Sequence, residues 1–198
     1  MAQVSLDQMV QTLKSGPALV SFPTDTVPAL AAVPTQADLI YAAKQRSPEK
    51  PLILMGASLL DLLPYVSGQE SAMAEWQAIA QQYWPGQLTL VLPASDRAPK
   101  NLTPLPTADN AGTLGIRVPD HPVALALLAQ TGPLATTSAN LSGQPALTEV
   151  SDIAKTFPDA LTLAPELYQS QAASGMPSTV AKWTPPGWKI LRQGKIQL

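Results

Sequence analysis

The sequence predicts an α/β fold of the α+β type: a twisted, mixed β-sheet flanked by helices. Three observations predict the sheet and its helices. Short apolar runs alternate with amphipathic helical stretches along most of the chain. Strand-like runs then cluster toward the C-terminal end, which favours a mixed sheet over a purely parallel one. The 21 prolines among 198 residues are spread throughout, so they mark fixed turns and not a linker.

Ser5 caps a first helix whose apolar positions are Leu6, Met9, Val10 and Leu13, and Gly16 ends it. Ala18 to Phe22 is a buried strand. Pro23 to Pro28 is a polar loop, and the apolar segment Ala29 to Val33 follows. A second helix spans about Gln36 to Gln45, and Leu52 to Met55 is a strand. Helices are expected near Leu59 to Tyr65 and Ser71 to Tyr83. Trp84-Pro85-Gly86 stops the second of these before a strand over Leu88 to Leu92. The stretch 96–112 lacks periodicity and reads as a long surface loop. Thr113 to Val118 is a strand, Asp120 caps a helix over Pro122 to Gln130, and Leu134 to Thr137 is a strand. A helix over Thr148 to Thr156 precedes short strands near Leu161, Thr179 to Lys182, Ile190 to Arg192 and Ile196.

The length and the absence of any internal repeat fit one domain over residues 1–198. With 45% hydrophobic residues the chain can bury a core without staples. There are no cysteines, which excludes disulfide frameworks, thiolate nucleophiles and iron–sulfur clusters. One histidine cannot build a histidine-rich zinc site. No apolar run approaches the roughly 18 residues of a membrane span. The N-terminus lacks the charged start and apolar core of a signal peptide, so a cytoplasmic protein without membrane contact is expected.

The placement of the few basic residues is informative. Lys44, Arg46 and Lys50 follow one helix, while Arg117 and Arg192 end strands. Ligands of open sheets bind beyond strand ends, so these bases can converge on one anion. The alternative is a solvated helix end, where lysine and arginine are favoured for local reasons. Hydroxyl-rich turns at Thr24-Asp25-Thr26, Thr136-Thr137-Ser138-Ala139-Asn140 and Ser178-Thr179 suit phosphate or carboxylate recognition. They also suit ordinary turns. No P-loop, no dinucleotide fingerprint and no nucleophile elbow is present. His121, at a helix start, reads as a surface turn residue. Trp84, Trp183 and Trp188 read as core or rim packing.

Taken in order, these segments resemble the threonylcarbamoyl-adenylate synthase family, the YrdC-type domain in its short form. The matching pieces are Pro23-Thr24-Asp25-Thr26-Val27, Lys44-Gln45-Arg46 with Lys50-Pro51-Leu52, and Trp84-Pro85-Gly86 with Leu88-Thr89. They continue with Gly115-Ile116-Arg117-Val118-Pro119 and His121-Pro122, Thr137 to Gly143, Ser178-Thr179-Val180, and Leu191-Arg192-Gln193-Gly194. The resemblance implies a large basic cavity and condensation of L-threonine, bicarbonate and ATP into threonylcarbamoyl-AMP, with release of pyrophosphate. It implies Mg2+ accompanying ATP and no resident metal site. Downstream transferase proteins would pass the threonylcarbamoyl group to an adenosine of tRNA. Binding of RNA or tRNA by the domain itself is a further implied property.

By the same resemblance, Lys44, Arg46 and Lys50 are the catalytic cations. Thr24, Arg117, Ser138 and Ser178 would hold threonine. Lys44, Arg46, Lys50, Thr89, Asn140, Thr179 and Arg192 would bind ATP. The family usually continues its first motif with Tyr-Gly-Leu, whereas this chain has Pro28-Ala29-Leu30. That departure puts substrate recognition in question. It leaves a second reading, a paralogue that binds nucleotide or double-stranded RNA without making the adenylate.

Overall fold

The computed structural model describes residues 3–47, 49–102, 112–169 and 171–198. Most of the loop expected over 96–112 lies outside them. The strands are β1 (Gln3–Val4), β2 (Leu19–Phe22), β3 (Ala29–Ala32), β4 (Ile53–Met55), β5 (Leu88–Pro93), β6 (Thr113–Arg117), β7 (Leu134–Ser138), β8 (Ala160–Leu163), β9 (Thr179–Thr184) and β10 (Gly187–Arg192). They form one sheet in the order β1-β8-β2-β3-β7-β4-β6-β5-β9-β10. Parallel pairs (β4 with β6, β5 with β9) and antiparallel pairs (β3 with β7, β5 with β6) are interleaved. The sheet is therefore mixed, as the sequence predicts.

The helices are α1 (Leu6–Ser15), α2 (Asp38–Lys44), α3 (Leu59–Leu62), α4 (Glu70–Tyr83), α5 (Pro122–Thr131), α6 (Val150–Thr156) and α7 (Pro165–Tyr168). Ser5 caps α1 reciprocally with Gln8, and Met9, Val10 and Leu13 are its buried stripe. On one face of the sheet, Ile40 of α2, Leu62 of α3, Trp76 of α4 and Ile153 of α6 pack with Leu30, Leu54, Leu88, Leu90 and Ile116. On the other face, Met9 and Val10 of α1 and Leu127 and Leu128 of α5 pack with Val20, Phe22 and Ala31. That second cover stops short. The residues of β5, β6 and β9 that point the same way line a cavity instead.

Four local expectations change. The residue capping α5 is His121, not Asp120, and Pro122 takes the first helical position. His121 is fully buried, not a surface turn residue, because its turn folds onto the loop at Asp25, whose carboxylate accepts from the Asp120 N–H. Neither ring nitrogen has a hydrogen-bond partner, and burial pushes the imidazole pKa down, which keeps it neutral at pH 7. Ile196 is not in a strand; its carbonyl accepts from Thr179 Oγ1 at 2.7 Å. The short elements β1 and α7 carry no periodicity in sequence and are fixed by tertiary contacts. Tyr168 of α7 donates to the Ser21 carbonyl at 2.7 Å, and burial raises its pKa to about 12.

Candidate functional site

The cavity has a volume of about 660 Å³, within the usual range for small-molecule sites. Its floor is the uncovered half of the sheet. Strand geometry sends alternate side chains to opposite faces, so residues two apart share the floor. Thr89 and Val91 of β5 and Thr113, Gly115 and Arg117 of β6 obey this rule, whereas Thr136, Thr137 and Ser138 at the end of β7 all reach the lining. Ser178, Val180 and Lys182 obey it too, along β9 and the residue before it. The intervening residues Leu88, Leu90, Leu114, Ile116 and Ala181 belong to the core behind the floor. Ile53 and Met55 of β4 and Leu191 of β10 add apolar surface.

Two walls carry the charge. The loop after α2 presents Arg46, Glu49 and Lys50. Arg46 braces this loop by donating to the Lys50 and Pro51 carbonyls at 3.0 and 3.1 Å. Opposite, Arg192 donates from Nε to the Ser178 carbonyl and from Nη2 to Ser178 Oγ, at 3.0 and 3.2 Å. Ser178 Oγ lies 2.8 Å from Thr89 Oγ1. A guanidinium and two hydroxyls are thus held together before any ligand arrives.

Arg117 sits at the inner end of the floor and is 3% exposed. It donates to Asp25 Oδ1 at 2.6 Å, to Thr26 Oγ1 at 2.9 Å and to the Gly86 carbonyl at 3.0 Å. Burial lowers its pKa and the Asp25 carboxylate raises it, so the pair is a buried charge with its counter-ion. Thr26, rather than Thr24, lines the cavity beside it. The Thr24 hydroxyl turns inward and donates to the Val27 carbonyl at 2.7 Å.

Of the residues singled out from sequence, Arg46, Lys50, Thr89, Arg117, Ser138, Ser178 and Arg192 line the cavity together. Thr24, Lys44, Asn140 and Thr179 are not on its lining. Thr179 is one residue out of phase with the floor. Its hydroxyl donates to Ile196 and accepts from the Gly194 N–H. Lys44 is 1% exposed and reaches from the end of α2 beneath the turn that follows β7. Its ammonium donates to the Ser138 carbonyl, the Asn140 carbonyl and Asn140 Oδ1. Those three acceptors match the three protons of the ammonium. Burial, and secondarily Arg46, lowers the Lys44 pKa to about 8. Sequence reasoning passed over Val91 and Lys182, and it gave Thr26, Gly115 and Thr136 a place in a turn or motif without an individual role. Val91 lies two residues from Thr89 and Lys182 four from Ser178, which is the strand period.

A sheet that is covered by helices on one face and only half covered on the other, with cations on both walls of the gap, defines an α/β domain with an open, cation-lined cavity. The family model described as "Telomere recombination" (Sua5/YciO/YrdC) matches residues 11–194, and the chain belongs to that family. It is 40% identical over 140 residues to a protein named threonylcarbamoyl-AMP synthase from Bacillus subtilis, covering 69% of this chain and 38% of that one. It is 33% identical over 189 residues to one of the same name from Pyrococcus abyssi, covering 91% of this chain and 51% of the relative. The chain thus spans about half or less of the length of these two relatives. The crystal structure of P. abyssi Sua5 complexed with L-threonine superposes with a TM-score of 0.80 at 31% identity, over 96% of this chain and 54% of that one.

Proposed function

We propose that this chain makes threonylcarbamoyl-AMP from ATP, L-threonine and bicarbonate, releasing pyrophosphate. The observation that carries the reading is the convergence of Arg46, Lys50, Arg117, Ser138, Ser178 and Arg192, from segments far apart in sequence, on one cavity. The threonine complex of the P. abyssi relative and the names of the two synthases support it.

In this reading threonine occupies the inner end, beside Thr26 and Arg117. Its amine attacks bicarbonate, a C–O bond breaks with loss of water, and the resulting carbamate is the nucleophile. A carbamate oxygen attacks the α-phosphorus, the α–β phosphoanhydride bond breaks, and pyrophosphate leaves. Positioning and charge stabilisation dominate such transfers, so a cysteine or histidine nucleophile is not required. Arg46 and Lys50 on one wall and Arg192 on the other stabilise the negative charge that builds on the leaving group. Mg2+ enters with the nucleotide, held mainly by phosphate oxygens and water. The product passes to transferases acting on tRNA. Any direct RNA contact uses the cationic rim, since the whole chain has a net charge of -2. The cytoplasm is the proposed location.

The Pro28-Ala29 departure favours the second reading, a nucleotide-binding paralogue. Ala29 lines the cavity and pairs with Ser138, and the Pro28 carbonyl accepts from the Ala139 N–H at 2.9 Å. The altered pair therefore lies against the Ser-Ala-Asn turn. Purified protein incubated with ATP, Mg2+, L-threonine and bicarbonate decides between the two. Pyrophosphate and threonylcarbamoyl-AMP that form only with both threonine and bicarbonate are expected. ATP binding without product would replace the synthase by the paralogue.

A further inference from the structure

One buried titratable group takes no part in the chemistry described above. His121 is the only histidine of the chain. It is fully buried, and among the described residues neither ring nitrogen has a hydrogen-bond partner. A buried N–H left unpaired is a standing cost to the fold.

The complementary atom lies on the neighbouring loop. Asp25 is 4% exposed. Its Oδ1 accepts from Arg117 Nη2 at 2.6 Å and from the Asp120 N–H at 3.0 Å. Its Oδ2 is buried and has no partner among the described residues. The Asp120 contact holds the next residue, His121, against the same carboxylate. His121 is also the N-cap of α5, and the partial positive charge of that helix end opposes an imidazolium. Burial acts in the same direction and outweighs the Asp25 and Asp120 carboxylates, which favour the charged ring. The neutral ring has one N–H to give.

Arg117, held by the other oxygen of Asp25, faces a competing demand. It is oriented by Asp25, Thr26 and the Gly86 carbonyl, and it lines the cavity. A substrate carboxylate at the inner end has to share this cation with Asp25. Two buried carboxylates on one guanidinium leave a charge uncompensated, which a low-dielectric site penalises. A donor to Oδ2 lowers that penalty and leaves more of the guanidinium's field for the substrate.

We propose that His121 is a positioning residue for threonine: its neutral imidazole donates to Asp25 Oδ2 when a substrate carboxylate draws on Arg117. The chain His121–Asp25–Arg117 then runs from the start of α5 to the cavity. His121 touches no substrate and acts through the two charged residues. This rests on the reading that places threonine beside Thr26 and Arg117.

The test uses the full chain and two readouts. Calorimetry measures binding of L-threonine and, separately, of ATP to wild type, H121F and H121Q. Phenylalanine keeps a buried ring and removes the donor, whereas glutamine keeps a donor. H121F is expected to weaken threonine about tenfold, the scale of one hydrogen bond to a charged group, while ATP changes less than twofold. H121Q stays within about threefold of wild type for threonine. Equal losses of threonine and ATP affinity in H121F would reduce His121 to packing and overturn the proposal. So would H121Q as weak as H121F, or unchanged threonine affinity in H121F. Nitrogen NMR of wild type, in which the one histidine gives one pair of ring signals, keeps the proposal testable if either variant fails to fold. The ring is expected to stay neutral below the usual imidazole pKa of about 6.5, and its N–H signal to move when threonine is added. A ring that titrates at the usual value, or one that threonine leaves unchanged, would overturn the proposal. Wild type that binds ATP but no threonine would instead refute the threonine site, and the role of His121 with it.

Discussion

Replacing Lys44 by methionine separates a ligand contact from a scaffold contact. The ammonium is buried and spends its three protons on Ser138 and Asn140. In K44M the Asn140 carbonyl loses its ammonium donor, at about 1–3 kcal/mol, while the Ser138 carbonyl keeps the Asn140 N–H as a donor. Asn140 Oδ1 keeps the Ser138 hydroxyl as its donor. Against this, lowering the lysine pKa from 10.5 to about 8 means that holding the charge there costs the fold about 3 kcal/mol at pH 7, and K44M removes that cost. The two effects nearly cancel. The net change in stability is expected to stay within about 2 kcal/mol, a shift in Tm of no more than about 4–8 °C for a chain of this size. Local order should change far more. Amides of residues 139–147, which include the Ala139 and Leu147 N–H groups that tie the turn down, are expected to exchange at least about tenfold faster. ATP affinity is expected to fall with them. The pH dependence carries a second signature. The folded pKa lies below the unfolded one, so between pH 8 and 10.5 the unfolded chain binds more protons and stability rises with pH. Wild type should gain on K44M across that window. Lost ATP binding with unchanged exchange at 139–147 would mean that the lysine acts on the ligand directly.

Asp25→Asn leaves Arg117 buried without its counter-ion, and a loss of about 3–5 kcal/mol in denaturant unfolding is expected; a loss below about 1 kcal/mol would show that the pair does not hold the inner end of the site. Gly194→Ala puts a methyl 2.5 Å from the Thr179 backbone nitrogen and 2.6 Å from the Pro177 carbonyl oxygen. Neither can retreat as a flexible side chain would, so the Ser178 turn must shift. Turnover is expected to fall at least about tenfold, and near wild-type turnover would contradict the account of Arg192 and Ser178 as a fixed unit.

The class of fold was legible because its signals are local. Ser5 with its capping partner Gln8, the α1 stripe and the Trp84-Pro85-Gly86 stop all act within a few residues. The order of strands was not, since β4 pairs with β6 and β7, and β5 with β9, across long stretches of chain. The site was half legible for a related reason. Motifs select residues adjacent in sequence, whereas a sheet selects residues of one phase. Ser178 and Thr179 are neighbours in the motif but lie on opposite sides of the sheet. Lys44 was legible as a charge at a helix end; the acceptors it meets beneath β7 belong to a turn about a hundred residues away and leave no trace near it in sequence.

Because the floor of the cavity and the wall of the core are the two sides of the same strands, evolution has little freedom over strand length here. One residue inserted into β5, β6 or β9 would send Leu90, Ile116 or Ala181 toward the ligand and Thr89, Arg117 or Val180 into the core. Substrate preference in this lineage can therefore drift by substitution at floor positions. Changes of length are confined to the connecting loops, and an alignment gap inside one of these strands would mark a copy that has abandoned the site.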